Sequence, residues 1–233
     1  MPKTVRKAGQ NIRELALKRR IKAIASFAAA GLALVFPFLI VKTFENFLSQ
    51  VSSLNATQPQ PSLNLPPIFY AVFIVAALGL VANGVLLWKR ANRATQGAKG
   101  EEATAQEMVQ LEHQGWRIEY GMHLGRGLGD ADIVCISPQN KAYVIDVKSH
   151  KGEVTTDGEQ LYRRMGNTTY PFEKNFLAQA MKQALQVRTQ KNLNFVTPVV
   201  AFSNAKVSVP IGKLQKVYVV EKSRLVSLLK SLG

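Results

Sequence analysis

The chain is poor in the residues from which many catalytic and structural centres are assembled. Its single cysteine, Cys135, allows no internal disulfide and no cysteine-based zinc site, and nothing argues for an oxidising compartment. The three histidines, His113, His123 and His150, have no metal-ligand spacing among themselves. The glycine-containing stretch Gly121 to Gly129 lacks a Gly-Lys-Ser/Thr ending, which argues against a phosphate-cradling loop and a nucleotide cofactor. Acidic residues are scarce: 15 stand against 30 Lys and Arg in 233 residues, a net charge of +15. That excess is uneven. Residues 1–22 carry eight basic residues against Glu14, residues 42–67 are neutral, and from Lys89 onward 21 basic residues face 13 acidic ones. The C-terminal bias suits a phosphate backbone as partner, although many inert domains share it.

What the chain does have is two long apolar runs. Ala23 to Val41 is 19 residues without a charge and Ile68 to Trp88 is 21, each close to the roughly 20 needed to cross a bilayer as a helix. Pro37 is tolerable as a kink, Asn83, Gly79 and Gly84 suit close helix contact, and Phe69, Tyr70 and Trp88 stand where interfacial aromatics belong. Basic residues flank the outer ends of the pair: eight precede the first run, only Lys42 lies between the runs, and Lys89, Arg90, Arg93 and Lys99 follow the second. The expected organisation is therefore a basic cytoplasmic tail (1–22), two transmembrane helices (23–41 and 68–88) and a non-cytoplasmic polar loop (42–67), with both termini cytoplasmic. A short polar tether (89–96) then leads to a soluble domain (97–233). Asn55-Ala56-Thr57 matches a glycosylation acceptor, a triplet common by chance.

Periodicity in the soluble part predicts a helix from Gly100 to Gly115 and strands over Arg117 to Leu124, Asp132 to Ile136 and Ala142 to Lys148. A weak hairpin follows between Glu153 and Tyr170, then a helix over Lys174 to Gln190, strands over Phe195 to Phe202 and Val217 to Val220, and a helix over Lys222 to Leu229. This is a mixed α/β domain of helix-strand-strand-strand-helix-strand order.

The chemistry concentrates at Asp146-Val147-Lys148, at the end of an apolar strand, where residues two apart share a face. An acid-x-Lys triplet is expected roughly once by chance at this composition, so its context carries the argument. If Pro138 to Asn140 form a three-residue turn, the hairpin register sets Asp132 opposite Asp146. Paired carboxylates repel unless a cation lies between them, which favours a hard divalent metal, Mg²⁺ or Mn²⁺, with Asp132 and Asp146 as ligands. Lys148 on the same face can orient a water or stabilise charge on a phosphate.

Gly97-Ala98-Lys99-Gly100-Glu101, Gly115-Trp116, Gly129-Asp130-Ala131-Asp132, the run Tyr143 to Gly152 and Asn175-Phe176-Leu177-Ala178-Gln179 occur in the order and spacing of a known family. Over about residues 97–203 the chain resembles the nuclease-related domain (NERD) of the PD-(D/E)XK nuclease superfamily. The resemblance implies a restriction-endonuclease-like core in which Asp132, Asp146 and Lys148 match the catalytic acid, acid and lysine. It sets Glu101 as the helix-borne acid and Gln179 as the glutamine of the second helix. Phe176 stands where the family usually has proline, and Asp146 where it usually has glutamate. His150, Lys151, Arg163 and Arg164 are candidates for substrate phosphates. The expected function is metal-dependent hydrolysis of nucleic-acid phosphodiesters, DNA foremost, on the cytoplasmic side of a membrane. The alternative is a tethered module that binds nucleic acid or protein without turnover.

Overall fold

The computed structural model describes residues 7–52, 65–125 and 127–233. Within them the chain divides into two units, one of residues Leu15–Arg93 and one joining the residues up to Glu14 with Ala94–Gly233. The Asn55-Ala56-Thr57 triplet and most of the polar loop lie outside the described residues.

Helix α1 (Gln10–Ser52) and helix α2 (Pro67–Glu112) both run far beyond the apolar segments. The expected basic tail is helical from Gln10, because Leu, Ala, Arg and Lys are strong helix formers and the apolar run supplies a continuous helix to extend. The expected tether at 89–96 is likewise helix, as Ala-, Gln- and Arg-rich sequence carries no breaker strong enough to interrupt it. In the Leu15–Arg93 unit the two helices pair antiparallel: Asn83 Nδ2 donates to Ser26 Oγ at 3.0 Å, and the Phe36 and Phe73 rings lie 6.0 Å apart. Both helices are long and apolar enough to cross a membrane, and only 17% and 11% of their most apolar windows are buried. A core helix of a soluble protein would bury most of that surface.

The other unit is built on an eight-stranded sheet. Strands β1 (Arg117–His123), β2 (Asp130–Ile136) and β3 (Ala142–Thr156) are antiparallel neighbours. Strands β6 (Val196–Val207) and β8 (Val217–Glu221) continue the sheet in parallel, with the two-residue β7 (Lys213–Leu214) at its edge. Strands β4 (Leu161–Met165) and β5 (Thr168–Pro171) form a hairpin on the distal half of β3. Strand β3 is twice as long as expected. The expected strand ends at Lys148, but a register shift between Lys148 and Lys151 carries β3 onward against β6 and β4.

One sheet face packs Ile133, Tyr143, Ile145 and Val199 against Met108 and Leu111 of α2 and Leu225 and Leu229 of helix α4 (Lys222–Leu232). The opposite face packs Val134, Val144, Val200 and Phe202 against helix α3 (Phe176–Lys191). The sheet is thus sandwiched between helices, the α/β nuclease-like core that the sequence pattern predicts, with extra strands.

Gly100 sets how closely α2 approaches the sheet. A Cβ there would lie 2.7 Å from Ser203 Oγ and 2.9 Å from Ser149 Cβ, whereas one at Gly97 meets nothing nearer than 4.0 Å. Gly97→Ala should therefore raise stability by about 0.5–1 kcal/mol through helix propensity. Gly100→Val should lower it by about 1–3 kcal/mol through overpacking. Thermal unfolding of the detergent-solubilised chain reads both; equal effects at the two positions would contradict this close approach.

Candidate active site

Along β3 the pleat turns Tyr143, Ile145 and Val147 toward α2 and α4, and Val144, Asp146 and Lys148 toward α3. Asp146 is 2% exposed. Lys148 Nζ lies 2.7 Å from Asp146 Oδ2 and 2.9 Å from Oδ1, with hydrogen-bond geometry met only at Oδ1. Gln179 closes a triangle: its Nε2 donates to Asp146 Oδ1 at 3.3 Å, and its Oε1 accepts from Lys148 Nζ at 3.5 Å.

Helix α3 delivers Gln179 because it starts at a defined point. Asn175, in extended conformation, caps it by accepting from the Ala178 N–H at 3.0 Å. Phe176, in place of the family's proline, is buried as the first helical residue, and the Lys148 ammonium sits 4.7 Å from the centre of its ring. The unusual residue thus leaves the helix start intact and gives the lysine an apolar floor. Gln183, one turn on and buried, also favours the charged form of Asp146. Its spacing of four from Gln179 is the one signal in the sequence that sets it on the same helix face.

Asp132 arrives from β2. The β2–β3 register pairs Ile133 with Ile145 and Ile136 with Ala142, as the three-residue turn predicts, but the ladder stops there. On the other side, Gly121, at φ +59°, interrupts the β1–β2 ladder opposite Asp132. Asp132 therefore stands where both ladders break. Instead of sitting in a regular cross-strand pair with Asp146, its Oδ2 accepts the Val147 N–H at 2.7 Å.

Glu101, on the first turns of α2 within this unit, completes the acidic group and is buried. Its carboxyl is pushed up from an ordinary 4.5 to about 7, first by burial and then by the Asp146 charge, against the opposing pull of the Gly9 N–H. Burial, then the charges of Asp146 and Glu101, push Asp132 well above its usual range. Burial also raises Asp146, and Lys148 pulls it back.

This donor set fits a hard divalent cation on chemical grounds. Its donor atoms are all carboxylate oxygens, and the charges of Asp146 and Glu101 act against that of Asp132. Among the described residues no three His, Cys, Asp or Glu side chains already converge as a closed metal cage.

The candidates for phosphate contact are scattered and partly engaged. His150 packs its ring against Phe172 and Phe176 at 5.1 and 5.5 Å, and burial lowers its pKa, so it is held neutral near physiological pH. Arg163 donates to the Lys151 carbonyl, and Arg164 pairs with Glu153 across β3 and β4. Lys151 is exposed. His150 and Lys151 lie at the β3 register shift and Arg163 and Arg164 on β4, and among the described residues none of the four bonds to Asp132, Asp146 or Glu101. Asp130, of the Gly129-Asp130-Ala131-Asp132 motif, is held by His123 Nδ1 at 2.8 Å and Asn11 Nδ2 at 2.7 Å.

A helix-flanked sheet with one buried and one half-buried acid, a lysine and a buried helical acid at a break in its ladders is the core of a nuclease-like α/β protein. Residues 96–203 match the family model of the nuclease-related domain, NERD. No curated protein and no solved structure matches the chain.

The raised pKa of Glu101 makes stability depend on pH. The folded chain holds this proton more tightly than the unfolded one, so the contribution is complete below about pH 4.5 and is lost as pH rises through about 7. In EDTA, the unfolding temperature should fall across that window, and Glu101→Gln should make the slope shallower. A slope unchanged in the variant would show that Glu101 does not hold the proton.

Proposed function

We propose that this chain is a membrane-anchored nuclease whose domain hydrolyses nucleic-acid phosphodiesters, with DNA as the expected substrate, on the cytoplasmic side. The observation that carries the reading is the buried Asp146 carboxylate, bound by Lys148 and Gln179 and electrostatically coupled to Asp132 and Glu101. A structural ion pair would need only one acid for one lysine. Three mutually repelling acids around one lysine carry a cost that a cation-dependent site would explain.

Asp132 and Asp146 would hold Mg²⁺ or Mn²⁺, which when bound neutralises charge on the phosphate and acidifies a water. Lys148, fixed by Gln179 and the Phe176 ring, presents its ammonium toward charge building on a phosphate oxygen. Glu101, with its carboxyl near neutrality, is suited to take a proton from the attacking water. Gln179 orients both Asp146 and Lys148 and is a positioning residue. Lys151 is exposed and could meet a neighbouring phosphate.

The flanking basic residues favour an arrangement with both termini and the domain in the cytoplasm and residues 42–67 on the far side. Placed in a Cys135→Ala background, Ser49→Cys should then react with an impermeant maleimide on intact cells, and Lys230→Cys should react only after permeabilisation. The reverse pattern would overturn the orientation.

A specific observation supports a second reading, a binding module without turnover: Lys148 already pairs with Asp146, and no closed metal cage exists among the described residues. Cleavage of labelled single- and double-stranded DNA and RNA by the detergent-solubilised chain separates the two. The nuclease should cut with Mg²⁺ or Mn²⁺, stop in EDTA, and lose at least ~10²-fold in rate in Asp146→Asn. Salt-dependent binding by a folded chain that never cuts would establish the binding module.

A further inference from the structure

The residues preceding the first apolar run, up to Glu14, have no role in the reading above, yet they belong to the same unit as the acidic site. Across 92 positions of sequence, the Gly9 N–H donates to Glu101 Oε2 at 3.1 Å in a buried contact. Asn11 Nδ2 donates to Asp130 Oδ2 at 2.7 Å, and Arg13 pairs with Glu102. Gly9 lies at φ +72°, and a Cβ on it would come within 2.9 Å of the Ala98 carbonyl oxygen, so the segment rests directly on the α2 backbone. Lys7, Gln10, Asn11 and Ile12 line a cavity of about 200 Å³ whose other wall includes Glu101, Asp130 and Asp132. The segment therefore forms one side of the opening onto the candidate site.

We infer that Gly9 and Asn11 are positioning residues of this site: Gly9 fixes the Glu101 carboxylate and Asn11 fixes Asp130, so that the acidic group is complete only when residues 7–13 are docked. A basic leader gains nothing from burying a glycine amide on a carboxylate if it serves only to orient a membrane helix. Its charge would suffice for that. Three polar contacts to Glu101, Glu102 and Asp130, with a close approach only glycine permits, describe a fitted part of the domain. Groups that hold ligating or neighbouring carboxylates from behind typically change metal affinity 10- to 100-fold when removed. The inference rests on the metal-dependent reading proposed above.

The test uses the full chain in detergent, with hydrogen exchange over residues 7–13 and Mn²⁺ binding by calorimetry. Gly9→Val adds a branched side chain against the Ala98 carbonyl, and Asn11→Leu removes the bond to Asp130 while leaving the Gly9 contact. The expected result is slow exchange of the segment in the wild type and fast exchange in Gly9→Val, with Mn²⁺ affinity roughly 10- to 100-fold weaker. Asn11→Leu should show a smaller loss with the segment still protected. Fast exchange in the wild type, or lost protection in Gly9→Val with unchanged Mn²⁺ affinity, would overturn the inference. A wild type that protects the segment but binds no Mn²⁺ would instead overturn the metal-dependent reading, and this inference with it.

Discussion

The carboxylate of Asp146, buried on a central strand beside the Lys148 ammonium, imposes a condition that the surrounding structure must meet. An ionised carboxyl at 2% exposure is strongly disfavoured unless partners replace its water. Lys148 supplies the countercharge at 2.7 Å, Gln179 a further donor, and the Phe176 ring a face for the ammonium. Each of these depends on something further out. Gln179 is in place because Asn175 caps α3 where it does. Phe176 is in place because it packs under Lys148 with Phe172 and Phe202. Removing the lysine alone would strand a buried charge, a loss of about 3–5 kcal/mol in comparable pairs.

The same condition accounts for the break in the sheet. A regular ladder through Asp132 and Asp146 would set two carboxylates side by side on one face. The structure ends the β2–β3 ladder at Ile133 and Ile145, interrupts β1 at Gly121, and satisfies the freed Val147 N–H with the Asp132 side chain. One acid thus repairs the backbone that its own placement disrupts. Broken ladders are also where side chains from different strands and a helix can meet, which lets Glu101 approach from α2.

Much of this was legible in the sequence wherever a local signal governed the outcome. The turn at Pro138 to Asn140 set the hairpin register, and that register follows from turn length alone. The order of helices and strands followed from hydrophobic period, and the acid-x-Lys triplet acquired meaning from its place on an apolar strand. What stayed hidden was decided by distant partners. The run Ser149 to Gly152 is polar, and only pairing with β6 and β4 makes it a strand. The stretch 89–96 looks like a tether, but its residues favour helix as soon as a helix abuts them. The docking of Gly9 on Glu101 spans 92 residues and has no local periodicity, so no window of sequence contains it. Arg163 and Arg164 looked like phosphate ligands as a pair, yet adjacent residues on a strand face opposite ways, and each finds its own intramolecular acceptor.

The division of labour on the Asp146 carboxylate has a bearing on the proposed chemistry. Lys148 Nζ lies 2.9 Å from Oδ1 and 2.7 Å from Oδ2, so the ammonium bears on both carboxylate oxygens, and Gln179 donates to Oδ1. A cation held by Asp146 would therefore have to share this carboxylate with the ammonium. On the proposed reading Asp132 and Asp146 would hold the metal, which would supply positive charge to the phosphate in addition to that of Lys148. The ion pair that stabilises the domain without a metal is, on this reading, also the device that fixes the lysine for the reaction. The apolar floor of Phe176 fits this arrangement better than a second carboxylate would, because it confines the ammonium without drawing it away from the phosphate.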